Sequence, residues 1–104
     1  MHPLNFNGLD TLVHGPIRLG VLTSLQMDGA IDFTHLKDRL DVADGALGTH
    51  LFKLEEAGYI TCKKAFIGRR PKSTYRITAS GRRALRTYLD TLRQVIEAVQ
   101  QSNA

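Results

Sequence analysis

The chain has 104 residues, 42% hydrophobic and 23% charged, with a formal charge of +4 at pH 7; that length fits one domain with a core of its own, and that composition excludes a disordered segment. A single cysteine, Cys62, excludes an internal disulfide and a cysteine-rich metal cluster and fits a reducing cytoplasm. The start, MHPLNFNG, has neither a cationic leader nor an apolar h-region, and no run of about 18 apolar residues follows, so neither export nor membrane insertion is expected.

The charge is unevenly placed. Residues 1–60 carry 4 Lys/Arg against 8 Asp/Glu, and residues 61–104 carry 10 against 2. Between Lys63 and Arg86 nine cations stand with no acid among them, which points to a polyanionic partner.

In chain order, FNGLDTLV (residues 6–13) is expected to form a short helix, with Gly8 near its start. In HGPIRLGVLTSLQMDG, Pro16 suits a first helical position, Ile17, Val21 and Leu25 recur every four residues with Leu22 between them, and Asp28-Gly29 closes the pattern. AIDF offers one edge strand. DFTHLKDRL then reads as a helix of about two turns, capped by Asp32 or Thr34, with Leu36 and Leu40 on one face. DVADG interrupts the period for a few residues before ALGTHLFKLEEAGY resumes it: Leu47, Leu51 and Leu54 share a face, Asp44 is the expected N-cap, and Gly58 is the stop. Two helices joined this tightly form a helix-turn-helix.

From Tyr59 the period changes to two. Ile60, Cys62 and Phe66 fall on one side, Tyr75 and Ile77 do the same after a Gly-Arg-Arg-Pro turn, and the segment reads as a β-hairpin with a basic tip, tight at Gly68 and stiffened by Pro71. Thr78 caps a long last helix, along which Leu85, Tyr88, Leu89, Leu92, Val95, Ile96 and Val99 form an apolar stripe over about four turns. The tail, QSNA, is expected to fray. The fold is thus mainly α with a small β-hairpin, ordered as a winged helix-turn-helix over residues 1–79 and followed by one long C-terminal helix over 80–104 packed on the same domain.

The run DGALGTHLFKLEEAGYI followed by GRRPKSTYRITASGRRAL resembles the short winged-helix transcriptional regulators of the MarR and ArsR kind, over about Leu9 to Leu92. Three features coincide at the right spacings: the HLFKLEEAGYI block, the basic wing and the TxxGR approach to the last helix. The resemblance implies a cytoplasmic regulator that binds double-stranded DNA, with the helix beginning near Ala43 in the major groove and the wing on the backbone or minor groove. With the leucines inward, Asp44, Gly45, Ala46, Gly48, Thr49, His50 and Lys53 face outward, and Thr49 and His50 are the candidate base contacts. Relatives often carry Asn, Ser or Arg on the exposed first turn. Here Gly45, Ala46 and Gly48 leave few groups for base readout, so specificity is expected to lean on DNA shape and on the wing. Arg69, Arg70 and Lys72 are the expected phosphate and minor-groove clamp, with Lys63, Lys64, Thr74 and Arg76 on the stems as further phosphate contacts. In relatives the last helix pairs two subunits, which implies a homodimer through the stripe named above.

Other classes are less well served. His2, His14, His35, His50 and Cys62 form no His-x-x-x-His, nucleophile-elbow, phosphate-loop or paired-carboxylate motif, so neither an enzyme nor a cofactor is expected. A lone cysteine on a strand does not make a metal sensor. The alternative retained is a winged helix used as a protein-protein interaction module. The space between the last helix and the core is the natural place for a small-molecule effector, although no residue marks one.

Overall fold

The computed structural model describes residues 5–103; the first four residues, His2 among them, and Ala104 lie outside the described residues. The chain runs α1 (Pro16–Asp28), β1 (Ile31–Asp32), α2 (Phe33–Leu40), α3 (Asp44–Glu56), β2 (Ile60–Ile67), β3 (Arg70–Ile77) and α4 (Ala79–Ser102). The strands form one antiparallel sheet in the order β1-β3-β2.

Local chemistry sets most of the boundaries. Pro16 opens α1, where its missing N–H and fixed φ cost nothing, and Gly29 closes it at φ 85°. The Asp32 carboxylate accepts the His35 backbone N–H at 2.8 Å and caps α2. Asp41 ends α2 in the left-handed region at φ 51°, a conformation aspartate tolerates better than most residues, and this keeps the α2–α3 turn to Asp41, Val42 and Ala43. At the end of α3, Gly58 at φ 79° donates to the Glu55 carbonyl while Tyr59 donates to that of Leu54, which is a Schellman closure.

These elements share one core. Val13 of the N-terminal turns, Val21, Leu22 and Leu25 of α1, Leu36 of α2, and Leu47, Leu51 and Leu54 of α3 are closed to solvent, and Ile31, Ile60, Tyr75, Ile77, Leu85 and Tyr88 complete the cluster from the sheet and α4. Each leucine buried in this way contributes about 1.5–3 kcal/mol of transfer free energy. The last helix is anchored at its first turn: the Thr78 hydroxyl donates to the Gly58 carbonyl at 2.6 Å and accepts the Gly81 N–H at 3.0 Å.

Several expectations need correction. Residues 6–13 form consecutive turns, not a helix, because their polar groups are engaged elsewhere: the Asp10 carboxylate accepts the Leu12 N–H and the Tyr59 hydroxyl, and Gly8 lies against the Thr91 side chain. That bond to Asp10, with burial, pushes the Tyr59 phenol up to about 12. Asp44 is the first residue of α3 and not its cap, which is Ala43; its carboxylate instead meets Lys37 Nζ at 2.8 Å. The hairpin turn is Gly68-Arg69 alone, with Gly68 at φ 64°, while Arg70 and Pro71 already pair with Ile67 and Phe66. Phe66 shares the strand face of Ile60 and Cys62 but extends past the core and is 75% exposed. The helical conformation of α4 continues through Gln101 and Ser102, so the tail is not frayed there.

Gly81 makes the tightest approach to backbone. A Cβ there would sit 2.2 Å from the Tyr59 carbonyl oxygen, a backbone atom that cannot step aside, whereas at Gly20 the nearest obstacle is the movable Leu40 Cδ2 at 2.6 Å. Gly81→Ala is therefore expected to lower the unfolding free energy by about 1–3 kcal/mol, and Gly20→Ala by clearly less, as measured by urea titration of the two variants. Equal losses would refute this account of how α4 docks.

Candidate nucleic-acid interface

The three leucines of α3 turn its other face to solvent. Gly45, Ala46, Thr49 and Lys53 are exposed, Gly48 and His50 are half-buried, and Phe52, which the sequence reading left out, is exposed as well. Neither candidate base-reading group is idle. The Thr49 hydroxyl donates to the Gly45 carbonyl at 2.9 Å, which leaves its oxygen lone pairs available. His50 Nδ1 lies 2.9 Å from a terminal nitrogen of Arg18.

Arg18 is the residue the sequence reading missed. Its Nε donates to the Leu12 carbonyl at 2.8 Å, and Nη2 donates to those of Thr11 at 3.0 Å and His14 at 3.4 Å, so one guanidinium ties the N-terminal turns, α1 and α3 together. A signal was present: Arg18 precedes Val21, Leu22 and Leu25 by three, four and seven residues, which is the register of the buried stripe. A cation in a core register has to find partners. Burial, then the charge of Arg18 and then that of Lys53, hold the His50 pKa below the usual histidine value.

The wing is built by strand pairing. Opposed residues share a face, so the pairs Thr61–Arg76, Lys63–Thr74, Ala65–Lys72 and Ile67–Arg70 place Lys63, Arg70, Lys72 and Arg76 together. Arg69 stands at the tip, and Lys64 lies on the opposite face, opposed to Ser73. All six cations are exposed, Thr74 is half-buried, and the hairpin from Ile60 to Ile77 contains no acid. Lys72 has one acidic neighbour across β1, with its Nζ 3.6 Å from the Asp32 carboxylate. Burial disfavours charge on Asp32, but the backbone and ring hydrogen bonds from His35, with the charges of His35 and Lys72, outweigh it and hold the carboxyl below its ordinary range.

The stripe on α4 divides in two. Leu85 and Tyr88 are buried in the chain's own core, with the Tyr88 hydroxyl 2.9 Å from His14 Nδ1. Leu92 and Val95 are half-buried, and Leu89, Ile96 and Val99 are 44%, 49% and 56% exposed. Between the N-terminal turns and the start of α4 lies an open cleft of about 730 Å³ lined by Phe6, Leu9, Asp10, Tyr59, Arg83 and Thr87. The described histidines go to separate places: His14 to Tyr88, His35 to Asp32 and His50 to Arg18, with Cys62 half-buried opposite Tyr75. Among the described residues no helix is long and apolar enough to cross a membrane.

Comparison with known proteins gives the same picture. The family model described as a winged helix DNA-binding domain matches residues 17–96. The uncharacterized protein MJ0432 of Methanocaldococcus jannaschii is 34% identical over 84 residues, which is 81% of this chain and 91% of that protein. A structure of a transcriptional regulator homologue from Pyrococcus horikoshii OT3 superimposes with a TM-score of 0.78 at 28% identity, covering 85% of this chain and 87% of that one. A MarR-family regulator structure from Enterococcus faecalis V583 has the same fold at 23% identity, with a TM-score of 0.70 over 89% of this chain and 83% of its own. With its helix-turn-helix, its basic wing and a family match over most of its length, the chain belongs to the winged helix DNA-binding family of transcriptional regulators.

Proposed function

We propose that this protein regulates transcription as a homodimer, with α3 of each subunit in the major groove and the wing on the adjacent backbone or minor groove. The observation that carries the reading is the wing. A hairpin that extends beyond the core, with four cations on one face, a fifth at the tip and no acid of its own, is costly in self-repulsion unless a polyanion neutralises it. The small first turn of α3, Gly45 and Ala46, lets the helix backbone approach the groove closely. Lys53, Lys63, Lys64 and Arg76 supply phosphate contacts around it, and Thr74 can donate from between them. Asp44, the acid nearest the groove, is neutralised by Lys37.

In this reading residues 1–79 are the DNA-binding domain and the distal part of α4 is the dimerisation helix. Leu89, Leu92, Val95, Ile96 and Val99 present more apolar surface than a monomer of this size leaves uncovered, while Leu85 and Tyr88 serve the subunit's own core. Two-fold pairing would set the recognition helices roughly 34 Å apart and call for half-sites separated by about 10 base pairs or a multiple.

Replacing Arg69, Arg70 and Lys72 together by Ala should weaken binding to every duplex and flatten its salt dependence. The unaltered protein, with roughly 6–10 phosphate contacts in the dimer, should lose about 10³- to 10⁵-fold in affinity between 50 and 200 mM salt. Fluorescence anisotropy across that range measures both slopes, and an unchanged slope in the triple variant would rule out the clamp.

Leu92→Asp combined with Ile96→Asp should give folded monomers by sedimentation velocity and abolish tight binding to two-half-site DNA. If the unaltered protein sediments as a monomer at micromolar concentration and binds one half-site as tightly as two, the dimer reading is wrong.

A further inference from the structure

We infer that Arg18 is a positioning residue that holds His50 as a neutral imidazole with its Nε2–H offered to a purine N7 in the major groove. The inference rests on the DNA-binding reading of α3 and adds the chemistry by which that helix reads sequence.

A guanidinium only donates hydrogen bonds. At 2.9 Å from Arg18, His50 Nδ1 must therefore be the acceptor, which leaves the ring neutral with its proton on Nε2. Arg18 is itself fixed by the carbonyls of Thr11, Leu12 and His14, so the ring is held against a clamped partner. Protonation of His50 would set two donors face to face, and the neighbouring charges of Arg18 on α1 and Lys53 one turn along α3 oppose it further.

The other end of the ring is open. Among the described residues Nε2 has no hydrogen-bond partner, and no buried side-chain nitrogen or oxygen is left unsatisfied, so Nε2 reaches solvent. A helical side chain covers the turn N-terminal to its own Cα, which for His50 is the turn of Ala46. Gly45 and Ala46 present almost no side chain there, so the imidazole joins the Thr49 hydroxyl, itself turned to the Gly45 carbonyl, as the polar groups over the first turn, the part of a recognition helix that meets base edges. The flat first turn and the held ring are then one arrangement, in which small residues make room for a donor supplied from the next turn. One N–H fits one acceptor, and N7 is the acceptor that guanine and adenine both present.

The test has two arms on the full chain. In the first, without DNA, nitrogen NMR of the histidine side chains should show His50 with Nδ1 unprotonated and half-titration below pH 6.5. Arg18→Met should move that titration upward, with partial return in Arg18→Lys. A proton on Nδ1 overturns the inference.

In the second, duplexes enriched from a random library by the unaltered protein are resynthesised with 7-deazaguanine or 7-deazaadenine, which lack only the N7 acceptor. The unaltered protein should lose about tenfold on one of them. His50→Ala and Arg18→Met should bind the ordinary duplex more weakly and lose nothing further on the deaza duplex, whereas a purely structural role for Arg18 would leave the deaza penalty intact. Should Arg18→Met fail to fold, His50→Ala decides. Tight binding with no deaza penalty overturns the inference and leaves the DNA-binding reading standing. Failure to enrich any duplex overturns that reading and the base contact with it, whatever the first arm reports.

Discussion

The leucine face of α3 is the constraint from which the remaining geometry follows. Leu47, Leu51 and Leu54 are closed to solvent against the apolar stripe of α1, and a chain of this size has no second core in which to place them. Burying them sets the rotation of α3 about its axis, and that rotation decides which side chains face outward. The short turn at Asp41 then limits where α3 can begin relative to α2. The surface α3 offers a partner is in this sense a by-product of its core packing, and the core cannot be changed without re-aiming that surface.

The wing obeys different physics. Its base is held by Ile60, Tyr75 and Ile77 in the common core, but beyond Cys62 every residue of β2 is exposed, Phe66 and Ile67 included. Strand pairing and the Gly68-Arg69 turn shape the outer half, with the Lys72–Asp32 contact at its side. Cations along β2, an edge of the sheet, also discourage edge-to-edge pairing with other chains, so Lys63 and Lys64 protect the fold while adding to the basic field. A hairpin kept soluble by charge is already equipped to meet phosphate.

The last helix joins two environments. Its first turn is locked onto the strand entrance through Thr78 and Gly81, and Leu85 and Tyr88 enter the core, where Tyr88 also meets His14. His14 in turn gives its carbonyl to Arg18, which reaches His50 on α3. A continuous set of hydrogen bonds thus runs from α4 to α3 through the N-terminal turns, whose backbone forms neither helix nor strand.

Periodicity and punctuation were enough to read the element order, the start of α1 at Pro16, the cap at Thr78, the stop at Gly58 and the leucine face of α3, and to narrow the α2 cap to Asp32 or Thr34, because each depends on neighbours within a turn or a strand pair. They failed where a residue's partner is distant in sequence. Residues 6–13 satisfy helical spacing, but Asp10 bonds to Tyr59 and Gly8 packs on Thr91. Asp44 suits a cap, but Lys37 claims it. The stripe on α4 looks uniform until packing divides it between a buried and an exposed part. The sequence by itself determined the fold class and the basic character of the wing, since composition, period and local turn chemistry are properties of contiguous residues. Tertiary structure alone decided that Arg18 meets His50 and which cations share the wing's face, because both depend on how helices cross and strands register, and those are set by burial of the whole core at once.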